Sequence, residues 1–473
     1  MVASGGGAQL ASDIRGADAS AVGGPAFARA PDGPTLPSFG EAVGVWARIG
    51  CLSFGGPAGQ IALFHREVVE QRNWVSERRF LHALNFCTLL PGPEAQQLAT
   101  YLGWLMHGAK GGFAAGLLFV IPGAMVMLAL SIVYATLGAV PLIAALFFGL
   151  KSAVLVLVAD AVRRIGRRAL KGPLAWSLAA VAFAALFLFG VPFPAIVLAT
   201  GLIGYVLPER FALGAHGHAG DGPPALLDAV LAADPGRATR MAGGARKAGL
   251  IVAALWLVPV AILLPSGGIF ADIAWFFSKM AIVTFGGAYA VLAYVAQDAV
   301  QGYHWLSPAE MLTGLGLAET TPGPLILVLQ FVGFLAGYRA GGMFAGVVAS
   351  ALTLWVTFAP CFVFVFLGAP LVERLQGNRA LSGALAAVTA GVVGVVANLA
   401  VWFALHVLFR AAVPVRAAFM RFDAPVIGSL DPWALGIALI AAIALLRLRL
   451  GVLPTLGICA AASVGLHVVL GVA

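Results

Sequence analysis

Charge is scarce in this 473-residue sequence: only 10% of it is Asp, Glu, Lys or Arg, well under half the share of a water-facing domain. That excludes an ordinary soluble globular protein. Cysteine is nearly absent as well. Cys51, Cys87, Cys361 and Cys459 show no CxxC spacing and no histidine partners, so neither a disulfide framework nor a zinc cluster is expected. No GxxxxGK[ST] loop is present, which argues against direct ATP drive, and no dinucleotide fingerprint points to a redox enzyme. His65 lies near Glu67 in HREVVEQRNWVSERR, but without HExxH spacing this mixed-charge stretch reads as a solvated interface rather than a metal site. No nucleophile stands at hydrogen-bonding spacing from a base on one helix. An enzyme is therefore not expected, and no catalytic residue, metal or cofactor is assigned.

What the sequence has in excess is apolar length: 61% of residues are hydrophobic and the mean hydropathy is +0.97. Thirteen runs approach the roughly 20 residues that a bilayer-crossing helix needs, with glycine and proline inside several of them. An all-α, polytopic membrane protein of about thirteen transmembrane helices is predicted, with lipid as its main surrounding. The first 38 residues, rich in Ala, Gly, Ser, Asp and Pro, lack the apolar core of a secretory signal and read as a disordered tail. The formal net charge of +8 is concentrated. Arg163, Arg164, Arg167, Arg168 and Lys171 crowd one connection, which the positive-inside rule places in the cytoplasm. In so apolar a chain this run is a topology marker rather than a nucleic-acid patch. A bacterial-type inner-membrane location with a cytoplasmic N-terminus is expected, and a homodimer is a further expectation.

The chain repeats itself. Phe54-Gly55-Gly56 recurs as Phe285-Gly286-Gly287, Trp74 as Trp305, and Pro91-Gly92-Pro93 as Pro322-Gly323-Pro324, each 231 positions apart. Arg48 and Lys279 share the same offset. The expected organisation is a tail (1–38), a first repeat (39–207), a cytoplasmic loop (208–248), a linking transmembrane helix (249–265) and a second repeat (270–472). Seven spans lie between the starts of the copies. An odd number inverts the second copy, giving the opposed halves of many secondary transporters. A re-entrant hairpin at Pro-Gly-Pro would alter that count.

Two prolines inside an apolar run must break a helix, and unwound backbone at membrane depth occurs where it lines a cavity or is buried in protein. Pro93 and Pro324 are placed to open half-helices whose N-terminal N–H groups attract anions. The FGG glycines add a second break per copy. Arg48 and Lys279, costly inside a membrane unless partnered, are the candidate anion-binding cations, with snorkelling as the alternative. Thr321 joins this candidate substrate site. Glu94, Glu319 and Gln97 beside the breaks are candidates for coupling or gating, with helix capping the simpler role for Glu94.

FGGPAGQIALFHREVVEQRNW with LLPGPEAQQLATYLGWLMHG, and VTFGGAYAVLAYVAQ with LAETTPGPLILVLQFVGF, resemble the two-domain, long-chain form of the chromate ion transporter family over about residues 39–471. The proline after FGG is kept as Pro57 but replaced by Ala288 in the second copy. Glu94-Ala95-Gln96-Gln97 stands where family members commonly carry a polar Asn-Ser-Thr-like run. The resemblance implies an inner-membrane protein of roughly thirteen helices with opposed halves, exporting chromate, with sulfate as a related or competing anion. A passive oxyanion channel, or a sulfate, molybdate or tungstate carrier, is the alternative.

Overall fold

The computed structural model describes residues 35–211, 225–234, 236–285, 287–369, 378–417 and 420–471. Gly286, nearly all of the expected tail, the middle of the 208–248 loop and Val472 lie outside the described residues. The first copy comprises α1 (Phe39–Leu52), α2 (Gly56–His65, continued by a π-helical turn Arg66–Gln71), α3 (Glu77–Thr88), α4 (Glu94–Leu137), α5 (Pro141–Ala169), α6 (Pro173–Phe189) and α7 (Phe193–Val206). Short α8 (Pro208–Phe211) and α9 (Leu226–Ala233) lead to the linking helix α10 (Arg237–Leu263). The second copy comprises α11 (Gly268–Val283), α12 (Ala288–Val295, continued by the π-helical Ala296–Gly302), α13 (Pro308–Thr320), α14 (Val328–Gly368), α15 (Arg379–Leu408), α16 (Pro432–Ala442) and α17 (Val452–Leu470). Between α15 and α16, β1 (Ala412–Ala417) and β2 (Met420–Pro425) pair antiparallel, Pro414 opposite Asp423. The protein is a polytopic helical membrane protein. Among the described residues six helices are long and apolar enough to cross a bilayer, with three shorter apolar ones beside them, and Leu198, Leu202, Ile262 and Val468 point outward.

The four runs that carry FGG and PGP do not cross as rods. Each folds back on itself at its break. Trp46 and Phe64 would stand about 27 Å apart in a continuous helix, yet their rings are 6.2 Å apart, so α1 and α2 form a hairpin with FGG at the tip. Phe86 meets Tyr101 at 5.1 Å and Phe276 meets Tyr294 at 5.5 Å, while Gly314 packs on the Phe331 ring. Every copy thus opens with an FGG hairpin followed by a PGP hairpin. After the PGP tip the chain turns again, at His107–Gly108 in α4 and Gly341–Gly342 in α14, where the backbone leaves helical geometry.

Two hairpins instead of two crossings leave five crossings before the second copy: 109–137, α5, α6, α7 and α10. The count stays odd. Direct packing agrees. Gly112 faces the Phe366 ring and Gly116 the Phe362 ring, so 109–137 and 343–368, the stretches that follow the equivalent breaks of the two copies, run antiparallel. Equivalent helices lie antiparallel only about a two-fold axis perpendicular to them, and for crossing helices that axis lies in the membrane plane.

One end of the bundle gathers 66–79, 106–110, the Arg-rich end of α5 and the described part of the linker from 225 to 237. The described parts of the linker include α8 and α9, and α10 begins at Arg237 rather than near Gly249. Hydropathy detects only the part of a helix that needs lipid, and its basic first turns continue into water. Helix α9 is fastened to the first copy: Leu226 and Leu227 N–H donate to the Asn73 and Trp74 carbonyls at 3.1 and 2.9 Å, and Arg79 Nε donates to Asp228 Oδ1 at 2.7 Å. Burial alone would raise the Asp228 carboxyl, but hydrogen bonds from Ser76 and Arg79 and the guanidinium charge hold it below the ordinary range. A depressed carboxyl stabilises above its unfolded pKa of about 3.9 and loses that contribution as pH falls through the lower folded value. The protection of amides across 225–234, as exchange relative to the intrinsic rate at each pH, is therefore expected to be high at neutral pH and low in acid, with Asp228→Asn low at both. Equal protection in wild type and variant would remove this role.

Candidate functional site

The four hairpin tips meet in the interior, each against a tip of the other copy. Gly92 N–H donates to the Thr284 carbonyl at 3.1 Å, and Gly323 N–H donates to the Ser53 carbonyl at 2.9 Å. Donors and acceptors are both 231 positions apart, so these are one contact made twice across the two-fold. The capping side chains repeat too: Ser53 Oγ donates to the Ile49 carbonyl at 2.6 Å and Thr284 Oγ1 to the Met280 carbonyl at 2.7 Å. An unsatisfied backbone group at this depth costs several kcal/mol, so each broken helix end is completed by the opposite half. Two glutamines hold the remaining carbonyls. Gln60 donates to Gly323 O and Gln97 to Pro91 O, both at 2.7 Å. Their counterparts at the offset are Val291 and Val328.

Beside the tips lies a cavity of about 360 Å³. Gly55, Gly56 and Pro57 line it from one copy, and Phe285, Gly287 and Tyr289 from the other. Gly55 and Gly287 have φ of +86° and +91°, a left-handed conformation in which a side chain is strained. That turn starts α2 and α12 at the cavity, so two helix N-termini, with their free N–H groups and positive dipole ends, approach one space. Glu94, Thr88 and Glu319 line it too, as do Arg164 and Arg168, one turn apart in the basic stretch of α5. Tyr289 Oη donates to Glu319 Oε1 at 2.8 Å.

Not every candidate reaches this space. Phe54 and the two PGP triplets do not line it. Pro91, Gly92, Pro93, Pro322, Gly323 and Pro324 stand behind it as the clamp. Thr321 is buried and donates to the Ala318 carbonyl at 2.9 Å. Arg48 and Lys279 lie lower on their hairpins, half-exposed, and each faces a carboxylate. Arg48 Nε is 3.6 Å from Glu67 Oε1, and Lys279 Nζ is 4.0 Å from Asp298 Oδ2. Glu67 and Asp298 are again 231 apart, so the matched cations have a matched acidic neighbour where the sequence suggested an anionic ligand. The physical reason is the fold-back itself, which brings α2 and α12 alongside α1 and α11. Sequence reasoning missed Arg164, Arg168, Tyr289 and Gln60 as members of the site. The arginines' spacing of four, which places both on one helix face, was the available signal.

The chromate transporter family model matches residues 41–205 and 271–466. The chain belongs to the chromate transporter family. It is 34% identical over 369 residues to the chromate transport protein of Pseudomonas aeruginosa, covering 77% of this chain and 80% of that protein. It is 28% identical to a probable chromate transport protein of Synechococcus elongatus, covering 75% and 81% of the two chains. The chromate transport protein of Cupriavidus metallidurans is 25% identical, over 74% and 78%. No solved structure matches the chain. In this family member the cavity is thus lined by both halves, with two arginines in its wall.

Proposed function

We propose that this protein exports chromate from the cytoplasm of a bacterial-type inner membrane by exposing the chamber alternately to each side. The single observation that carries this is the convergence of two helix N-termini and two arginines on one cavity between opposed halves. Chromate is taken from the family and from the named relatives, and sulfate is expected to compete through the same tetrahedral charge. The basic end, with Arg72, Arg79, Lys110, the α5 cluster, Arg237 and Arg246, is read as cytoplasmic. In this reading the cavity loads from that end, past Arg164 and Arg168. A dianion leaving a negative interior gains about 4.6 kcal/mol per 100 mV, so outward movement needs neither ATP nor an obligatory counter-ion. Arg48 and Lys279 act in this reading as pins that hold the hairpins closed. Glu94 and Glu319 oppose the anion's charge, lower its affinity and so let it leave.

Everted vesicles energised to a positive interior should accumulate chromate saturably, and excess sulfate should slow the uptake. Loss of accumulation when the potential is collapsed is expected. Uptake no greater than in empty vesicles, with the protein shown to be inserted, would overturn chromate transport. A flux that never saturates would identify a channel instead.

A further inference from the structure

A second cavity, of about 330 Å³, lies at the opposite end beneath the β1–β2 hairpin. Its walls are the far part of α12 with its π-helical continuation (Ala293, Ala296, Gln301) and the far part of α15 (Asn398, Leu399, Trp402). The two-fold explains the position. The loading mouth runs between α2 and α5, and the axis carries α2 onto α12 and α5 onto α15, so the symmetric mouth must run between α12 and α15. That is where this cavity sits. No lysine or arginine of α15 lines it, whereas Arg164 and Arg168 of α5 line the first cavity.

The cation missing from α15 is supplied by the hairpin. Arg416 of β1 lines the cavity, with Asp423 of β2 beside it and Phe422 stacked on Phe187 at 5.7 Å. Gln297 is committed elsewhere: its Oε1 accepts from Phe193 N–H at 3.3 Å and its Nε2 donates to Val191 O at 3.5 Å, tying α12 to the α6–α7 turn. We infer that this cavity is the outer mouth of the same path, and that Arg416, Asn398 and Gln301 hold a tetrahedral oxyanion there before release. The inference rests on the transport reading. One guanidinium with neutral amide donors binds an oxyanion, and the neighbouring carboxylate keeps that binding weak, as an exit requires. The first copy has only Leu170, Lys171 and Gly172 where the second inserts the hairpin, so the device belongs to one side alone.

The test uses the full chain with Cys51→Ser, the other three cysteines being buried, and Val415→Cys as a reporter on the cavity wall. A membrane-impermeant maleimide added to spheroplasts should label the reporter. Sulfate or chromate should slow labelling about fivefold relative to chloride, and Arg416→Gln should abolish that protection. Labelling only from the cytoplasmic face, or equal rates in sulfate, chromate and chloride, would overturn the site. Chromate uptake by the same variants in everted vesicles separates the two readings. Uptake without protection removes the outer site and leaves transport standing, whereas protection without uptake supports an oxyanion site here and removes the transport reading.

Discussion

Replacing Arg164 and Arg168 together by glutamine is expected to cut chromate uptake into everted vesicles about 100-fold while leaving the protein inserted. Both line the loading chamber. A hydrogen bond to a charged group contributes about 1.5–3 kcal/mol, and about 1.4 kcal/mol is a factor of ten, so each arginine accounts for roughly tenfold. Arg164 also faces Asp160 at 2.9 Å, but Arg163 holds the same carboxylate at 2.6 Å, so Asp160 keeps a partner in the double variant. Arg163, Arg167 and Lys171 remain to orient the loop. Arg163→Gln alone, which leaves the chamber intact, should transport within about twofold of wild type, the range of an exposed ion pair. Full uptake by the double variant would show that the anion does not pass these arginines.

Gly123→Val should prevent folding. A Cβ at Gly123 would lie 2.0 Å from the Pro322 carbonyl oxygen and 2.5 Å from Leu327 Cδ1, where the first copy's α4 crosses the second copy's PGP tip. Backbone cannot yield as a side-chain end can, and overpacking of this kind costs about 3 kcal/mol or more. Loss of the monodisperse peak on size exclusion in detergent is the expected readout, with Gly123→Ala already impaired. Gly44→Ala, with nothing within 4 Å of the added atom, should behave as wild type. A stable Gly123→Val protein would mean that the tips are not packed this closely.

Much of this arrangement is legible in the sequence because the repeat is gapless from FGG to PGP. FGG, PGP, Trp74 with Trp305 and Arg48 with Lys279 fall on one offset, and the breaks occur where glycine and proline demand them. Direction is not legible. Hydropathy measures how much apolar chain there is, so a run of two half-helices reads the same straight or folded back, and the hairpin at Phe54–Gly56 escapes it. The same blindness concealed the neighbours of Arg48 and Lys279, although Glu67 and Asp298 keep the same spacing from them in each copy. Arg164 and Arg168 were visible only as loop charge. Which of five clustered cations faces inward depends on how α5 is rotated against its neighbours, a tertiary fact.

The exchanged hydrogen bonds between tips also set a schedule for synthesis. Gly92 N–H is completed by a carbonyl made about 190 residues later, and at about 5–20 residues per second the ribosome needs roughly 10–40 s to supply it. Through that interval the first half waits in the membrane with its PGP tip unfinished, the stage at which a chaperone or quality-control protease would find it.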